Sequence, residues 1–191
     1  MQLTVNDHHI LLIIGLTFFA CLLFVPLIRK IAQHVGAVDI PNERKVHTKP
    51  MPRLGGLAIF LAFLTGYVFF AKTSIQMISI LIGSFLIIIL GIFDDIKPIK
   101  ARYKFLGQIV AASIVVLYGH IYLEEVSAFG LYINFGSLSY PFSILFIVAI
   151  INAINFIDGL DGLAAGISSI YFATIAVIAF ILNRIGGLDV I

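Results

Sequence analysis

Apolar residues in this chain gather in long unbroken runs, at roughly 10–28, 55–71, 77–93, 105–119, 142–157 and 163–182. Their lengths approach the ~20 residues that carry a helix across a bilayer core. Lipid offers no partner to backbone N–H and C=O groups, so only helices or closed barrels span it. Barrel strands alternate between apolar and polar residues, and these runs do not. The pattern predicts an all-α membrane protein: a polytopic helical bundle of about six transmembrane helices, forming a single transmembrane domain over 1–191. The segment 120–141, expected to be the longest external loop, carries Tyr122, Phe129, Tyr132, Phe135 and Tyr140. Alternation around Asn134-Phe135-Gly136-Ser137 predicts a short hairpin there. Its aromatic residues suit anchoring at the membrane interface.

Composition agrees with the pattern. The 191 residues are 61% hydrophobic and only 12% charged, against about 25% charged in a soluble domain. A surface built from this chain could not be covered by polar groups in water. The single Cys21 lies within the first run, has no cysteine to pair with, and reads as a packing residue. Met1 to His9 contain no Lys or Arg, so the basic start of a cleavable signal is missing.

Charge sets the expected orientation, because Lys and Arg accumulate in cytoplasmic loops. Arg29, Lys30, Arg44, Lys45, Lys49 and Arg53 fall in 29–54, and Lys97, Lys100, Arg102 and Lys104 in 94–104. Only Lys72 and Arg184 fall on the other side. The N-terminus is therefore expected outside, with cytoplasmic loops at 29–54, 94–104 and 158–162.

Three polar clusters lie on that cytoplasmic side. The first runs from Asp39 to Gly56, where three prolines and a glycine pair forbid a regular helix. Its Arg44, Lys45 and Arg53 suit a phosphate-bearing ligand, with Asn42 and His47 as further candidate contacts. A basic loop lying on anionic headgroups is the alternative. The second cluster places Asp94-Asp95 directly after an apolar run, ahead of Lys97, Lys100 and Lys104. Carboxylates at a helix C-terminus meet an unfavourable dipole. Ionisable groups at a membrane edge are therefore functional candidates, the alternative being a solvated end paired with Lys97 or Lys100. If the helix continues through them, the two aspartates point about 100° apart and do different work. In the third cluster, Asn152, Asn155 and Asp158 are spaced by three and would form one helical stripe, followed by Gly159, Leu160, Asp161 and Gly162. The alternative here is hydrogen-bonded glue between helices. Together the clusters supply carboxylates, cations and amides at one membrane face. Magnesium favours oxygen ligands, commonly one or two carboxylates plus phosphate oxygens, and phosphoryl transfer requires charge neutralisation.

These residues resemble those of the polyprenyl-phosphate N-acetylhexosamine-1-phosphate transferases. The resemblance is carried by Pro41-Asn42-Glu43-Arg44-Lys45-Val46-His47 with Pro52-Arg53-Leu54-Gly55-Gly56, by Asp94-Asp95 with Lys104 and Gln108, and by Asn152 to Leu163. It is strongest to the branch that begins teichoic acid linkage units and enterobacterial common antigen or O-antigen of lipopolysaccharide. It implies transfer of N-acetylglucosamine-1-phosphate from UDP-N-acetylglucosamine to undecaprenyl phosphate, with release of UMP and a requirement for Mg²⁺, Mn²⁺ being a substitute. It implies Asp94, Asp95 and Asp158 as catalytic and metal-binding residues. Substrate contacts are implied for Asn42, Arg44, Lys45, His47, Arg53, Lys104, Asn152 and Asn155, and for Gly159, Leu160 and Asp161 at a uridine-binding turn. A bacterial inner membrane location follows, with the site facing the cytoplasm, membrane lipid as surroundings, no nucleic acid partner, and room for a homodimer.

The family carries further spans, a Gly-Asp-x-Gly-Ser stretch and a His-rich loop that these residues do not contain. The chain is accordingly expected to be the N-terminal portion of a longer transferase and inactive by itself. The readings set against this one are an N-acetylmuramoyl-pentapeptide phosphotransferase, an ion-coupled transporter and a non-catalytic membrane assembly module.

Overall fold

The structure, a computed structural model, describes residues 4–5, 8–39, 50–128, 130–158 and 162–181. Six helices occupy the six predicted runs: α1 (Ile10–Val35), α2 (Gly55–Phe70), α3 (Ile75–Ile96), α4 (Ala101–Ser113), α5 (Ser139–Ile157) and α6 (Leu163–Ile181). A wider π turn, Ile114–Tyr118, continues α4, and a 3-10 turn, Gly136–Leu138, leads into α5. Three two-residue to four-residue antiparallel pairs join them: β1 (Thr4–Val5) with β2 (His8–His9), β3 (Val38–Asp39) with β4 (Met51–Pro52), and β5 (Glu125–Ala128) with β6 (Leu131–Asn134). Four of the helical stretches, Ile10–Val35, Ile75–Ile96, Ala101–Tyr118 and Gly136–Ile157, are long and apolar enough to cross a membrane, while Gly55–Phe70 and Leu163–Ala179 are shorter apolar helices. The protein is a helical, multi-pass membrane protein.

Residue size is sorted in the manner lipid dictates. Large apolar side chains face outward, with Leu23 71% and Phe19 69% exposed. Small ones sit inside: Ala32, Ala58, Ala62, Ala111, Ala112, Ser79 and Ser143 are buried. Lipid tails are as apolar as leucine, so helices gain by close approach across small residues rather than by hiding large ones.

The chain forms two compact units. The first comprises Met1–Thr73 and Phe85–Lys104. Its α1 outlasts the apolar run by seven residues, through Val35. The run ends where charge begins at Arg29, whereas the helix ends at Gly36, whose φ of 76° makes the left-handed cap that returns its N–H to the Ala32 carbonyl. Ile28, Ala32, Ala37, Leu54 and Ala58 form the buried core of this end, flanked by Phe24, Leu57, Leu61 and Ile92. The β3–β4 pair sets Val38 against Pro52 and Asp39 against Met51, and Arg53 N–H donates to the Ala37 carbonyl at 3.0 Å. Sequence reading missed this pair because Pro52 is a poor strand residue. It is tolerated on an edge, where no ladder N–H is needed.

At the other end of the α1–α2 contact, Gly66 faces Thr17. A Cβ on Gly66 would overlap the Thr17 methyl, Cγ2. That methyl is not free to swing away, because Thr17 Oγ1 donates to the Ile13 carbonyl at 2.8 Å. Gly66→Ala is expected to destabilise the protein by about 1–3 kcal/mol through overpacking. Thr17→Ser, which keeps the hydroxyl and deletes the methyl, should restore most of the loss. Thermal unfolding in detergent reads both, and an unshifted single variant would rule out the close contact.

The second unit comprises Ser74–Ser84 and Phe105–Ile191. Within it the first part of α3 packs on α4 through Ser79, Gly83 and Gly119. A Cβ on Gly83 would lie 3.0 Å from Val115 Cγ2 and 3.2 Å from the Ala111 carbonyl oxygen. Ser143 ties the following loop to α5: its Oγ accepts from Leu123 N–H at 2.8 Å and donates to the Ser139 carbonyl at 2.7 Å. The predicted hairpin exists, but its turn is not at Asn134–Ser137. Ala128 pairs with Leu131, so the turn lies between them, with Gly130 at φ 79°. The Asn134 side chain instead accepts from Gly136 N–H at 2.9 Å and starts the 3-10 turn. An Asn-x-Gly sequence serves either purpose, and only the strand register distinguishes them. Tyr132 donates to the Glu125 carboxylate on the facing strand, which pushes its phenol above the ordinary value of 10.0.

Candidate functional site

The helix α3 does continue through both aspartates, ending at Ile96. Asp94 and Asp95 therefore point about 100° apart, and both are partly buried. Asp94 is braced from the chain that follows it. Its Oδ1 accepts from Ile99 N–H at 2.9 Å, which pins the turn between α3 and α4. Its Oδ2 accepts from Lys104 Nζ at 2.5 Å. The partner is thus Lys104, in the first turn of α4, and not the nearer Lys97 or Lys100 of the solvated-end alternative. Partial burial works against the Asp94 charge. The Lys104 bond, the Ile99 N–H and the Lys104 and Arg53 charges all work for it.

Side-chain exposures of 38% for Lys104 and 28% for Asp94 leave this pair half in water. Such pairs contribute about 0–1 kcal/mol. The fold therefore gains little from it, and the pair places a cation and an anion together at the end of a helix. Arg53, a predicted phosphate contact, pairs with Asp39 at 2.5 Å. Asp39 opens the first polar cluster but stood outside the predicted site. Arg53 is the residue immediately after β4 and Asp39 the last of β3, so the strand pair is what brings them together.

In the second unit, Asn152 Nδ2 donates to Gln108 Oε1 at 2.7 Å and to the Val148 carbonyl at 2.8 Å. Gln108 was part of the recognised motif without a predicted role. Its signal was its place one helical turn after Lys104. Asn155 and Asp158 are exposed, and among the described residues neither makes a side-chain hydrogen bond. The predicted stripe ends at Asp158, which caps α5 outside helical geometry at ψ 55°. Asn42, Arg44, Lys45, His47, Gly159, Leu160 and Asp161 lie outside the described residues.

The donor set bears on the expected metal. Among the described residues no three His, Cys, Asp or Glu side chains converge. A closed protein cage is therefore not formed by them. Adjacent carboxylates fit the other mode, in which magnesium takes one or two protein oxygens and completes its shell with phosphate and water. Each Asp94 oxygen accepts one hydrogen bond and retains further lone-pair capacity.

Comparison with known proteins adds the family context. The profile described as glycosyl transferase family 4 matches residues 77–190. The probable undecaprenyl-phosphate N-acetylglucosaminyl 1-phosphate transferase of Bacillus subtilis is 44% identical over 161 residues, covering 83% of this chain and 45% of that protein. The decaprenyl-phosphate N-acetylglucosaminephosphotransferase of Mycobacterium tuberculosis is 36% identical over 177 residues, 86% of this chain and 44% of that protein. The undecaprenyl-phosphate alpha-N-acetylglucosaminyl 1-phosphate transferase of Escherichia coli is 30% identical over 165 residues, 84% and 44%. The chain spans a little under half the length of the curated relatives it matches. No solved structure matches it.

Proposed function

The chain belongs to glycosyl transferase family 4, and from that premise we propose that it takes part in moving N-acetylglucosamine-1-phosphate from UDP-N-acetylglucosamine to undecaprenyl phosphate, releasing UMP. The observation that carries this reading is Asp94, set at a helix end with Lys104 bonded to it and Arg53 acting on it. Fixed cations beside a carboxylate are what a diphosphate and a divalent cation together require. The names of the relatives supply the sugar and the lipid.

The reaction balances simply. An oxygen of the lipid phosphate bonds to the β-phosphorus of the sugar nucleotide, the bond from that phosphorus to the bridging oxygen breaks, and UMP leaves. A phosphate monoester has a second pKa of about 6, so the attacking oxygen is already ionised at neutral pH. Asp94 then has no proton to remove, and its work is to hold position and charge. Lys104 is placed to exchange Asp94 for a phosphate oxygen, because both are charge-assisted acceptors of the same ammonium. Magnesium, held by Asp94 and Asp95, would neutralise non-bridging phosphate oxygens. The concentration of Lys and Arg in 29–54 and 94–104 supports an outside N-terminus and an inner-membrane site open to the cytoplasm.

The test is UMP release from UDP-N-acetylglucosamine and undecaprenyl phosphate in detergent. It should be run on this chain and on the chain joined to the remaining segment of the Bacillus subtilis relative. Release in either form is expected to stop when EDTA removes divalent ions and to return with added Mg²⁺. Folded protein of both kinds that releases no UMP with Mg²⁺ present would overturn the reading.

A further inference from the structure

A cleft lies within the first unit where α1 passes the start of α2. It encloses about 260 Å³, and its walls include Val25, Ile28, Arg29, Met51, Pro52 and Gly55. This is short of the roughly 300–1,000 Å³ that enclose a small ligand. It is apolar apart from Arg29, which is a poor lining for a sugar or a nucleotide. The volume and lining suit part of a hydrocarbon chain.

The height of the cleft in the membrane is set by α1. Arg29 comes nineteen residues after Ile10, the first residue of the helix. At 1.5 Å per residue this is roughly 28 Å, close to the ~30 Å of a bilayer core. Val25 and Ile28 then fall at the edge of the hydrocarbon and Arg29 among the headgroups. The Arg29 side chain is exposed, and among the described residues it makes no ion pair. It is also not among the cations that act on Asp94, which are Lys104 and Arg53. Gly55, also in the lining, lacks a side chain, and a Cβ built there meets nothing within 4 Å.

We propose that this cleft seats one anionic phospholipid of the bilayer, its phosphate on the Arg29 guanidinium and the start of one acyl chain between α1 and Gly55. An arginine at the headgroup layer beside an apolar slot complements both parts of such a lipid at once. The seat would hold the α1–α2 end together, because its walls are continuous with the core formed by Ile28, Ala32, Leu54 and Ala58. Its occupancy does not depend on the transfer reaction.

Native mass spectrometry of the detergent-purified chain tests this, with phosphatidylglycerol, phosphatidylcholine and undecaprenyl phosphate as probes. One phosphatidylglycerol should be retained, and Arg29→Gln should weaken it about fivefold, the effect of one near-surface cation. Gly55→Leu, which fills the cleft without touching charge, should weaken it similarly. Lys30→Gln removes the same charge one residue away, outside the cleft, and should weaken binding less than Arg29→Gln does. Arg29→Lys keeps the charge and should retain most of it, which guards against misfolding of the neutral variant. Equal retention of phosphatidylglycerol by wild type, Arg29→Gln and Gly55→Leu would overturn the proposal. So would loss of undecaprenyl phosphate alone in those variants, since that would make the cleft a substrate seat.

Discussion

Asp94→Asn should lower UMP release by about 10²–10³-fold, the usual scale for removing one preorganised charge-stabilising group from an active site. The substitution is close to isosteric. Its amide oxygen can still accept from the Ile99 N–H that pins the α3–α4 turn, so the backbone has no reason to move. What disappears is the charge that faces Lys104 and that would face a divalent ion. Because the pair is half exposed, stability should fall by no more than about 1 kcal/mol. The expected result is therefore a folded protein with normal melting and little turnover. Near-full rate at limiting as well as saturating Mg²⁺ would remove Asp94 from the mechanism. A rate that recovers as Mg²⁺ is raised would instead make its role metal affinity.

The largest structural effect is expected at Gly119. Its backbone is ordinary, at φ −81°, so alanine is conformationally acceptable there. Space is the difficulty. A Cβ would overlap Ser79 Oγ, and would lie 2.5 Å from the Val115 carbonyl oxygen and 2.7 Å from Ser79 Cβ. Two of these neighbours are a backbone atom and a Cβ, which cannot rotate away. Gly119→Ala should cost about 3 kcal/mol, the upper end of ordinary overpacking, and lower the melting temperature by roughly 6–12 °C. Ser79→Ala combined with it should recover only part, because the hydroxyl contact goes and the others remain. Gly91→Ala is the control: its Cβ meets nothing within 4 Å, and alanine favours the helix by up to about 1 kcal/mol. Equal melting of the two single variants would remove Gly119 as the tight point of helix packing.

Much of this architecture could be read from a one-dimensional pattern. Unbroken apolar runs fix where helices cross, because lipid enforces internal backbone pairing whatever the tertiary arrangement. The aspartate pair was recognisable for the same reason: charge directly after an apolar run needs an explanation. The family motifs went further and pointed to phosphate chemistry.

Partnership was not legible in that way. Three lysines follow Asp94 at separations of three, six and ten residues, and sequence distance favours the first two. The chain reverses between α3 and α4, with Ile99 N–H holding the reversal, and this brings the most distant, Lys104, onto the carboxylate. Arg53 reads as a phosphate ligand, yet the β3–β4 pair delivers Asp39 to it. The hairpin turn falls at Gly130 rather than at Gly136 because strand register, not turn composition, decided between two acceptable glycines. Sequence by itself determined which residues meet lipid and which demand a polar setting, since solvent acts on every residue locally. Tertiary structure decided which charge meets which, where a glycine must remain a glycine, and where a cleft opens beside Arg29, because each of these depends on chain segments that only folding brings within a few ångströms.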